Sequence, residues 1–560
     1  MKSVRTTIIL SLLLIGSFLG LGGRCFYLQY YKGDHYTDVC RRQQAYTSRQ
    51  PQRGAILDRR GRVLAASNKI QIIFAERRAI EDAKATSSEL APIVDMGAHE
   101  ICRLILESHN PGFARIKTST DAAECSAASR IPGIGVESQW RRHYPMGNLT
   151  ANVVGFASSD NRGLEGIELK YDKVLSGSAA QSVFFADVRR RPIALKQQQG
   201  LLTNGVGIIL TIDSTVQQFV RDELTKQYES YQAESAVAVV AEPKTGAILA
   251  MVSLPDFDPA MRNCDPNNFR SRAITDWYEP GSIIKPVIVA IALDAGVVNR
   301  TERIFCENGS YYGKGFGRIG EFREGFGDLT VREILTKSSN IGMAKIGQRL
   351  GKDKLYNGLK LFGFGRKTGI ELPGEVDGLM RPPRQWNGFS VTRIPFGQEI
   401  CVTAMQLVRA FCILANGGRL VRPFVVRAIV DNDGKITELN QPPPPVGYLI
   451  RPEVAKWIVT EAMVGVVTDG TGKRAKLDKW QVFGKSGTAN IARSDARGYS
   501  EDDYVASFVA GAPADDPAII VLVSIRRPKR SLGKGYTGGT VAAPVAAAII
   551  ERTLNYFEVE

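Results

Sequence analysis

The spacing of apolar positions divides the chain before any chemistry is considered. Residues 6–23, TTIILSLLLIGSFLGLGG, form an eighteen-residue run without a charge, with Lys2 and Arg5 before it and Arg24 after it. Rising about 1.5 Å per residue, a helical run of this length spans a hydrocarbon core of roughly 30 Å. Further on, QIIFAE (71–76) and GIILTID (207–213) read as strands, while SSELAPIVDMGAHEICRLILES (87–108) repeats its apolar residues at helical spacing. STVQQFVRDELTKQYESYQ (214–232) predicts a second amphipathic helix with Ser214 as its N-cap.

From residue 235 the pattern changes. SAVAVVAEPKTGAILAMVS (235–253) sets two apolar runs around Pro-Lys-Thr-Gly and reads as a hairpin. Helical stretches rich in small residues follow at 282–295, 330–350, 403–416 and 452–466. Strand patterns return at WQVFGKSGTANI (480–491), YVASFVAGAP (504–513) and AIIVLVSIRRP (518–528), and VAAPVAAAIIERTLNYF (541–557) ends the pattern as a helix. Early strands, a helical middle, late strands and a last helix predict an α/β (α+β) domain, one antiparallel sheet covered by helices. QPPPPV (441–446) reads as a rigid loop.

Composition supports a folded chain: 44% hydrophobic and 23% charged residues. The first apolar run reads as an uncleaved anchor rather than a signal peptide, since no A-x-A site follows it and Phe26, Tyr27, Tyr30 and Tyr31 resemble an interfacial belt. Lys2 and Arg5 keep residues 1–5 cytoplasmic, so that the anchor (6–25), a basic stalk (26–50) and all that follows lead outward. The net charge of +15 is spread over short clusters such as Arg41-Arg42, Arg59-Arg60, Arg189–Arg191 and Arg526-Arg527. It forms no stripe with interleaved aromatics, so a nucleic-acid partner is not expected. The eight cysteines follow no C-x-x-C pattern, so no metal site is expected; Cys102 with Cys125 and Cys264 with Cys306 are the pairs expected first if disulfides form.

EPGSIIKPVIVAIAL (279–293) carries the first chemistry. Ser282 and Lys285 lie one helical turn apart at the start of an apolar run, where free backbone N–H groups favour developing negative charge. The chain's four histidines (His35, His99, His109, His143) all precede this region, so no imidazole is at hand to activate the serine. Lysine is a poor base at its usual pKa of about 10.4, but burial or a second cation lowers it. The pattern alone is cheap, because SLGK (531–534) repeats it in a Gly-rich stretch.

TKSSNIGMAKIGQRL (336–350) offers Ser338 as a proton relay and Asn340 as a holder of a peptide group, or else a plain helix N-cap. Lysine followed by a small hydroxyl residue and glycine occurs at 244, 367 and 485. The first two read as turns, and only VFGKSGTANI lies inside a strand pattern. There Lys485, Ser486 and Thr488 offer donors to a carboxylate, and Gly487 lets a substrate backbone come close. Lys485 is also a candidate for the second cation beside Lys285.

Ser282-x-x-Lys285, Ser338-x-Asn340 and Lys485-Ser486-Gly487-Thr488, in that order, resemble the signature of the penicillin-recognising serine enzymes. RGAILDRRGRVLA (53–65), RRHYPMGNLTANVVG (141–155) and GLEGIE (163–168) resemble the pedestal motifs of class B penicillin-binding proteins, through Arg53, Gly54, Asp58, Arg59, Gly61, Arg142, Tyr144, Pro145, Gly147, Gly163, Gly166 and Glu168. LSGSAA (175–180) departs from the family's pattern. The resemblance implies an elongated pedestal domain over 51–230 and a transpeptidase domain with the penicillin-binding, serine β-lactamase-like fold over 231–560. It implies a peptidoglycan D,D-transpeptidase that crosslinks stem peptides through a Ser282 acyl-enzyme, releases D-Ala, binds nascent glycan and is acylated by β-lactams. In it Lys285 is the base, the backbone N–H groups of Ser282 and Thr488 form the oxyanion hole, and no cofactor is needed.

DDYVASFVAGAPADDPAIIVLVSI and GYTGGTVAAPV resemble the division (septal) members more than the elongation-type ones. The resemblance implies a place in the bacterial cytoplasmic membrane, and a complex with a polytopic membrane glycosyltransferase and other division proteins. The alternatives are an elongation-type transpeptidase, a β-lactam sensor or a non-catalytic wall scaffold.

Overall fold

The structure is a computed structural model. It describes residues 2–36, 44–110, 112–178, 180–186, 192–199, 202–261, 264–322, 324–431, 433–440, 447–493 and 498–560, of which 2–6, 44–49, 180–186 and 192–199 are described by their backbone. QPPPPV, Cys40, the Arg41-Arg42 and Arg189–Arg191 clusters and part of the expected stalk lie outside these residues. The apolar N-terminal run is helix α1 (Lys2–Phe26), continued by a wider turn over Tyr27–Tyr31. It is the one helix among the described residues long and apolar enough to cross a membrane.

The chain forms two compact units. One takes in residues 1–52, 69–140 and 177–205; the other takes in 53–68, 141–176 and 206–560. In the first, Gln71–Ala75 of the strand Val63–Ala75 pairs antiparallel with Ala114–Ser119, and helices pack on the pair through Ile73, Leu90, Val94, Ile101 and Ile105. The single helix expected over 87–108 is two, Ala83–Val94 and Ala98–Glu107. Asp95 takes a left-handed conformation (φ 50°) and Gly97 starts the second helix, so the apolar pattern continues across a break in the backbone. Residues 44–49, expected as stalk, form a strand paired with 180–186.

The second unit is built on a five-stranded antiparallel sheet. Its strands are β1 (Ser235–Ala241), β2 (Ile248–Leu254), β3 (Phe483–Ala492), β4 (Tyr499–Ala512) and β5 (Ile519–Arg526), in the order β2-β1-β5-β4-β3. The expected hairpin is β1–β2. Because side chains alternate along a strand, Ala236, Ala238 and Val240 face one layer and Val237, Val239 and Ala241 the other. The first face is covered by α2 (Ser214–Ser230) and by the C-terminal helix Ala543–Tyr556. The second is covered by α3 (Lys285–Asp294) and its neighbours α4 (Val331–Lys337), α5 (Asn340–Leu361) and α6 (Ala404–Ala415). Burial on both faces explains why SAVAVVA reads as a continuous apolar run. The N-cap of α2 is Asp213, which accepts from Thr215 N–H, and not Ser214, whose hydroxyl donates to Asp58 at 2.7 Å.

The second unit takes in segments from before residue 231 as well as after it. In a second sheet Ile56–Leu57 pairs with Gly207–Leu210 and Gly207–Leu210 with Val426–Val430. Ile56, Leu64, Val153, Ile167 and Ile208 therefore share a core with Val237 and Val239. Chain segments before 231 complete the apolar surface that the later sheet and helices leave open.

The seven described cysteines are all free thiols, so neither expected disulfide forms. Cys306 is buried beside Ser339 Oγ at 3.5 Å, whereas Cys264 packs with a separate cluster around Ala151, Phe156 and Phe257.

Candidate active site

Ser282 lies in a tight turn, Gly281–Ile284, that leads into α3. Gly281 holds φ 55°, and its N–H donates to Gly397 O at 3.1 Å. α3 is apolar on all sides and buried from Lys285 to Leu293, so Lys285 at its start is carried into the interior with no exposed surface. The segment expected as one helix over 330–350 breaks at Ser338, which ends α4 in a left-handed conformation (φ 62°). Ser339 then caps α5, accepting from Gly342 N–H at 3.0 Å.

That break turns the Ser338 and Asn340 acceptors toward Lys285. Its Nζ donates to Ser338 O (2.6 Å), Asn340 Oδ1 (2.8 Å) and Ser338 Oγ (3.2 Å). From β3, Lys485 Nζ donates to the same Ser338 Oγ (3.0 Å) and to Ser486 O (3.0 Å). Two fully buried ammonium groups thus meet at one hydroxyl. Burial pushes Lys285 down to about 7, with the charge of Glu321 acting the other way. Burial, and then the charge of Lys285, hold Lys485 well below the usual lysine value.

A cavity of about 210 Å³ opens beside this cluster, lined by Ser282, Ser338, Asn340, Ser486 and Thr488 among others. A side chain on Gly281 would come within 3.3 Å of Thr488 O, so the two backbones meant for the oxyanion hole approach each other closely. Three placements differ from the sequence reading. Lys485 does not line the cavity but lies beneath it, because the strand's alternation sends it inward. A Cβ on Gly487 would meet Ile283 Cγ1 at 2.8 Å and Pro280 O at 3.0 Å, so the glycine makes room for the Ser282 turn and not for a substrate backbone. The Asn340 amide is engaged at both ends, by Lys285 and, through Nδ2, by Gly320 O at 3.2 Å.

Sequence reasoning missed several groups here. Thr471 Oγ1 lies 2.6 Å from Ser486 Oγ and lines the same cavity; TDGTGK showed only a Gly-rich loop. Gly538 N–H donates to Thr488 Oγ1 at 3.1 Å, which gives the GYTGGT segment a structural part at the site. Glu279 lines the cavity too, accepting from Glu399 N–H (2.9 Å) and Tyr499 OH (2.9 Å), and burial raises its carboxyl. Glu321, in a stretch that showed no motif, also reaches the cavity.

The motifs before residue 230 converge elsewhere in the second unit. Arg53 Nε pairs with Glu168 Oε2 (2.5 Å) and Arg53 Nη1 with Asp172 (2.7 Å), while Arg142 Nε takes Glu168 Oε1 (2.6 Å). Tyr144 OH donates to Glu168 Oε1 at 3.3 Å, and Gly147 closes the turn after Pro145 by donating to Tyr144 O at 3.0 Å. Gly54 N–H donates to Leu175 O at 2.9 Å. Gly163 and Gly166 admit backbone where a Cβ would lie 1.9 Å from Glu168 O and 2.5 Å from Gly155 N, respectively. Asp58 accepts from the N–H groups of Arg60 and Arg62 across the turn at Gly61 (φ 83°), and Arg59 lies over the Phe557 ring. Arg53, Asp58 and Glu168 are buried and hold the unit together, whereas Gly61 and Pro145 are exposed. SLGK at 531–534 is a surface turn, with Ser531 and Lys534 exposed.

Residues 236–551 match the family model of the penicillin binding protein transpeptidase domain, and residues 48–206 that of the penicillin-binding protein dimerisation domain. The chain is 33% identical over 546 residues to stage V sporulation protein D of Bacillus subtilis, covering 96% of this chain and 83% of the relative. It is 30% identical over 528 residues to the peptidoglycan D,D-transpeptidase FtsI of Escherichia coli, covering 92% and 85%. Among solved structures, penicillin binding protein 3 of Mycobacterium tuberculosis complexed with aztreonam superposes with a TM-score of 0.71 at 26% identity, covering 92% of this chain and 98% of that one.

Proposed function

The chain belongs to the class B penicillin-binding proteins, and on that basis we propose how its cleft performs peptidoglycan D,D-transpeptidation. It is a serine-type transpeptidase that binds β-lactams and peptidoglycan. Ser282 Oγ attacks the penultimate carbonyl of a stem peptide ending in D-Ala-D-Ala. Its proton passes to Lys285, with Ser338 Oγ as the bridge, because the lysine's hydrogen bonds run to Ser338 and Asn340. The Ser282 and Thr488 N–H groups hold the oxyanion, where one donor is worth about 2.7–4 kcal/mol. Ser338 returns a proton to the departing D-Ala, and Asn340 keeps Lys285 in place. The hydroxyls of Ser486, Thr488 and Thr471 receive the terminal carboxylate, with buried Lys485 behind them. An acceptor amine then displaces Ser282 from the acyl group and completes the crosslink.

The observation that carries this reading is the meeting of Lys285 and Lys485 at Ser338 Oγ beside Ser282. Ser282→Ala in the full chain is expected to abolish covalent labelling by a fluorescent penicillin with the melting temperature unchanged; labelling that persists rules the assignment out.

The chain carries one N-terminal apolar helix, and the reading places the catalytic unit outside the cytoplasm, supported by Lys2 and Arg5 before that helix. The septal role, with a membrane glycosyltransferase and division proteins as partners, is supported by the likeness to FtsI. A fluorescent fusion gathered at midcell and co-purification in detergent check it, and a fusion spread along the side wall opposes it.

A further inference from the structure

Glu321 follows the hairpin Ser310–Gly313/Gly317–Gly320 and reaches the first turn of α5. Its Oε1 accepts from Ser339 Oγ (2.5 Å) and Ile341 N–H (3.2 Å), and its Oε2 accepts from Asn340 N–H (2.7 Å). The preceding carbonyl, Gly320 O, takes Asn340 Nδ2. Four donors of the Ser339–Ile341 segment are thus bound by two consecutive residues from a distant part of the chain. A carboxylate on free N–H groups at a helix start is a favourable, charge-assisted arrangement. Asn340 and Ser338 are the residues that supply all three Lys285 acceptors.

We propose that Glu321 is a positioning residue of the acylation step: it fixes the start of α5, so that Ser338 and Asn340 face Lys285. The inference rests on the reading of Ser282 and Lys285 given above. Glu321 lines the cavity, but its hydrogen bonds run to Ser339, Asn340 and Ile341, so it acts through that loop.

Its charge has a second effect, because Lys285 must be neutral to accept a proton. The groups facing Lys285 are Ser338, Asn340, Lys485 and the Glu321 carboxylate. The Cys306 thiol feels the Glu321 charge, and Lys345, which pairs with Glu307, acts on that same thiol, while Lys337 lines the cavity over the Phe326 ring. Glu321 is therefore the carboxylate that favours the charged lysine. Without it, the neutral form persists to lower pH.

The test is the rate of fluorescent-penicillin acylation against pH for the full chain in detergent, comparing wild type, E321Q, E321D and S282A, with melting temperatures alongside. E321Q keeps the size but loses acceptor capacity and charge. Its acylation is expected to be about tenfold slower above the half-point, with that half-point moved to lower pH. E321D keeps the charge with a shorter reach, and is expected to be slower at every pH with the half-point unmoved. Wild-type rates in both variants overturn the proposal. So does an E321Q that is merely less stable, with its half-point unchanged. If E321Q does not fold, E321D decides, and a wild-type rate there overturns the proposal. Labelling of S282A would instead defeat the underlying assignment of the nucleophile, which separates the two failures.

Discussion

Ser338 Oγ stands 3.2 Å from Lys285 Nζ and 3.0 Å from Lys485 Nζ, and both ammonium nitrogens belong to side chains without exposed surface. Burying a charge is expensive, so such groups give up their protons more readily than in water. The unfolded lysines titrate near about 10.4, whereas Lys285 titrates at about 7 in the folded chain. Between those values the unfolded state binds more protons at this residue, so the contribution of Lys285 to stability rises as pH rises from about 7 toward 10. The buried thiols of Cys306, Cys401 and Cys412, whose pKa values burial raises, contribute the opposite slope above the usual thiol value. Each lysine contributes at most about 1.4 kcal/mol per pH unit within its own window. Denaturant melts at neutral and at alkaline pH are expected to give Lys285→Met a smaller gain with pH than S282A, Lys485 and the buried thiols contributing alike to both. Lys285→Met should also abolish acylation in the otherwise wild-type chain. An equal slope in both proteins would refute the assignment of the shifted group.

Several elements meet the site where the backbone departs from a regular helix. The break at Ser338 separates α4 from α5, and the tight turn Gly281–Ile284 precedes α3. Gly397 (φ 88°) packs onto that turn, and a Cβ added there would lie 2.1 Å from Gly281 O. Gly397→Ala is expected to cost about 1–3 kcal/mol and to slow acylation, because the Gly281–Gly397 hydrogen bond must lengthen. Gly296 (φ 66°) has nothing within 4 Å of its added Cβ, so Gly296→Ala isolates the conformational cost, about 1 kcal/mol, and should leave acylation alone. Calorimetry and labelling rates on both variants compare the two costs; equal effects would mean the contact is unimportant. These breaks were hard to read because apolar periodicity runs through them, as it does through Asp95.

The second unit gathers residues 53–68 and 141–176 with the chain from 206 onward, although the family models divide near 206 and 236. Ile56, Leu64, Ile167 and Ile208 fill the same core as Val237 and Met251, and Thr211 Oγ1 donates to Ile248 O at 2.7 Å. A fragment of residues 231–560 would expose this apolar surface and lose Ile56–Leu57, Gly207–Leu210 and the strand that starts at Val63 from the second sheet. It is expected to aggregate or melt well below residues 50–560, as circular dichroism and size-exclusion chromatography would reveal. A monomeric 231–560 fragment that labels with penicillin at the normal rate would show that the earlier segments are dispensable.

What the sequence determined by itself is local. The N-terminal apolar helix, the β1–β2 hairpin, the late strands and the last helix follow from hydrophobic spacing over a few residues, and the order of Ser282, Ser338 and Lys485 is written in the chain. The tertiary structure decided what these residues do to one another. Lys285 and Lys485 are ordinary lysines until α3 and β3 bury them on either side of one hydroxyl. Lys485 and Gly487 face inward because the strand's alternation leaves them no other direction. Glu321 and Thr471 carry no local signal, since their partners lie 18 and 15 residues away in sequence. Arg53 and Glu168 find each other across 115 residues. Charge state, burial and ion pairing depend on which distant groups share a volume from which water is excluded, and only the folded chain defines that volume.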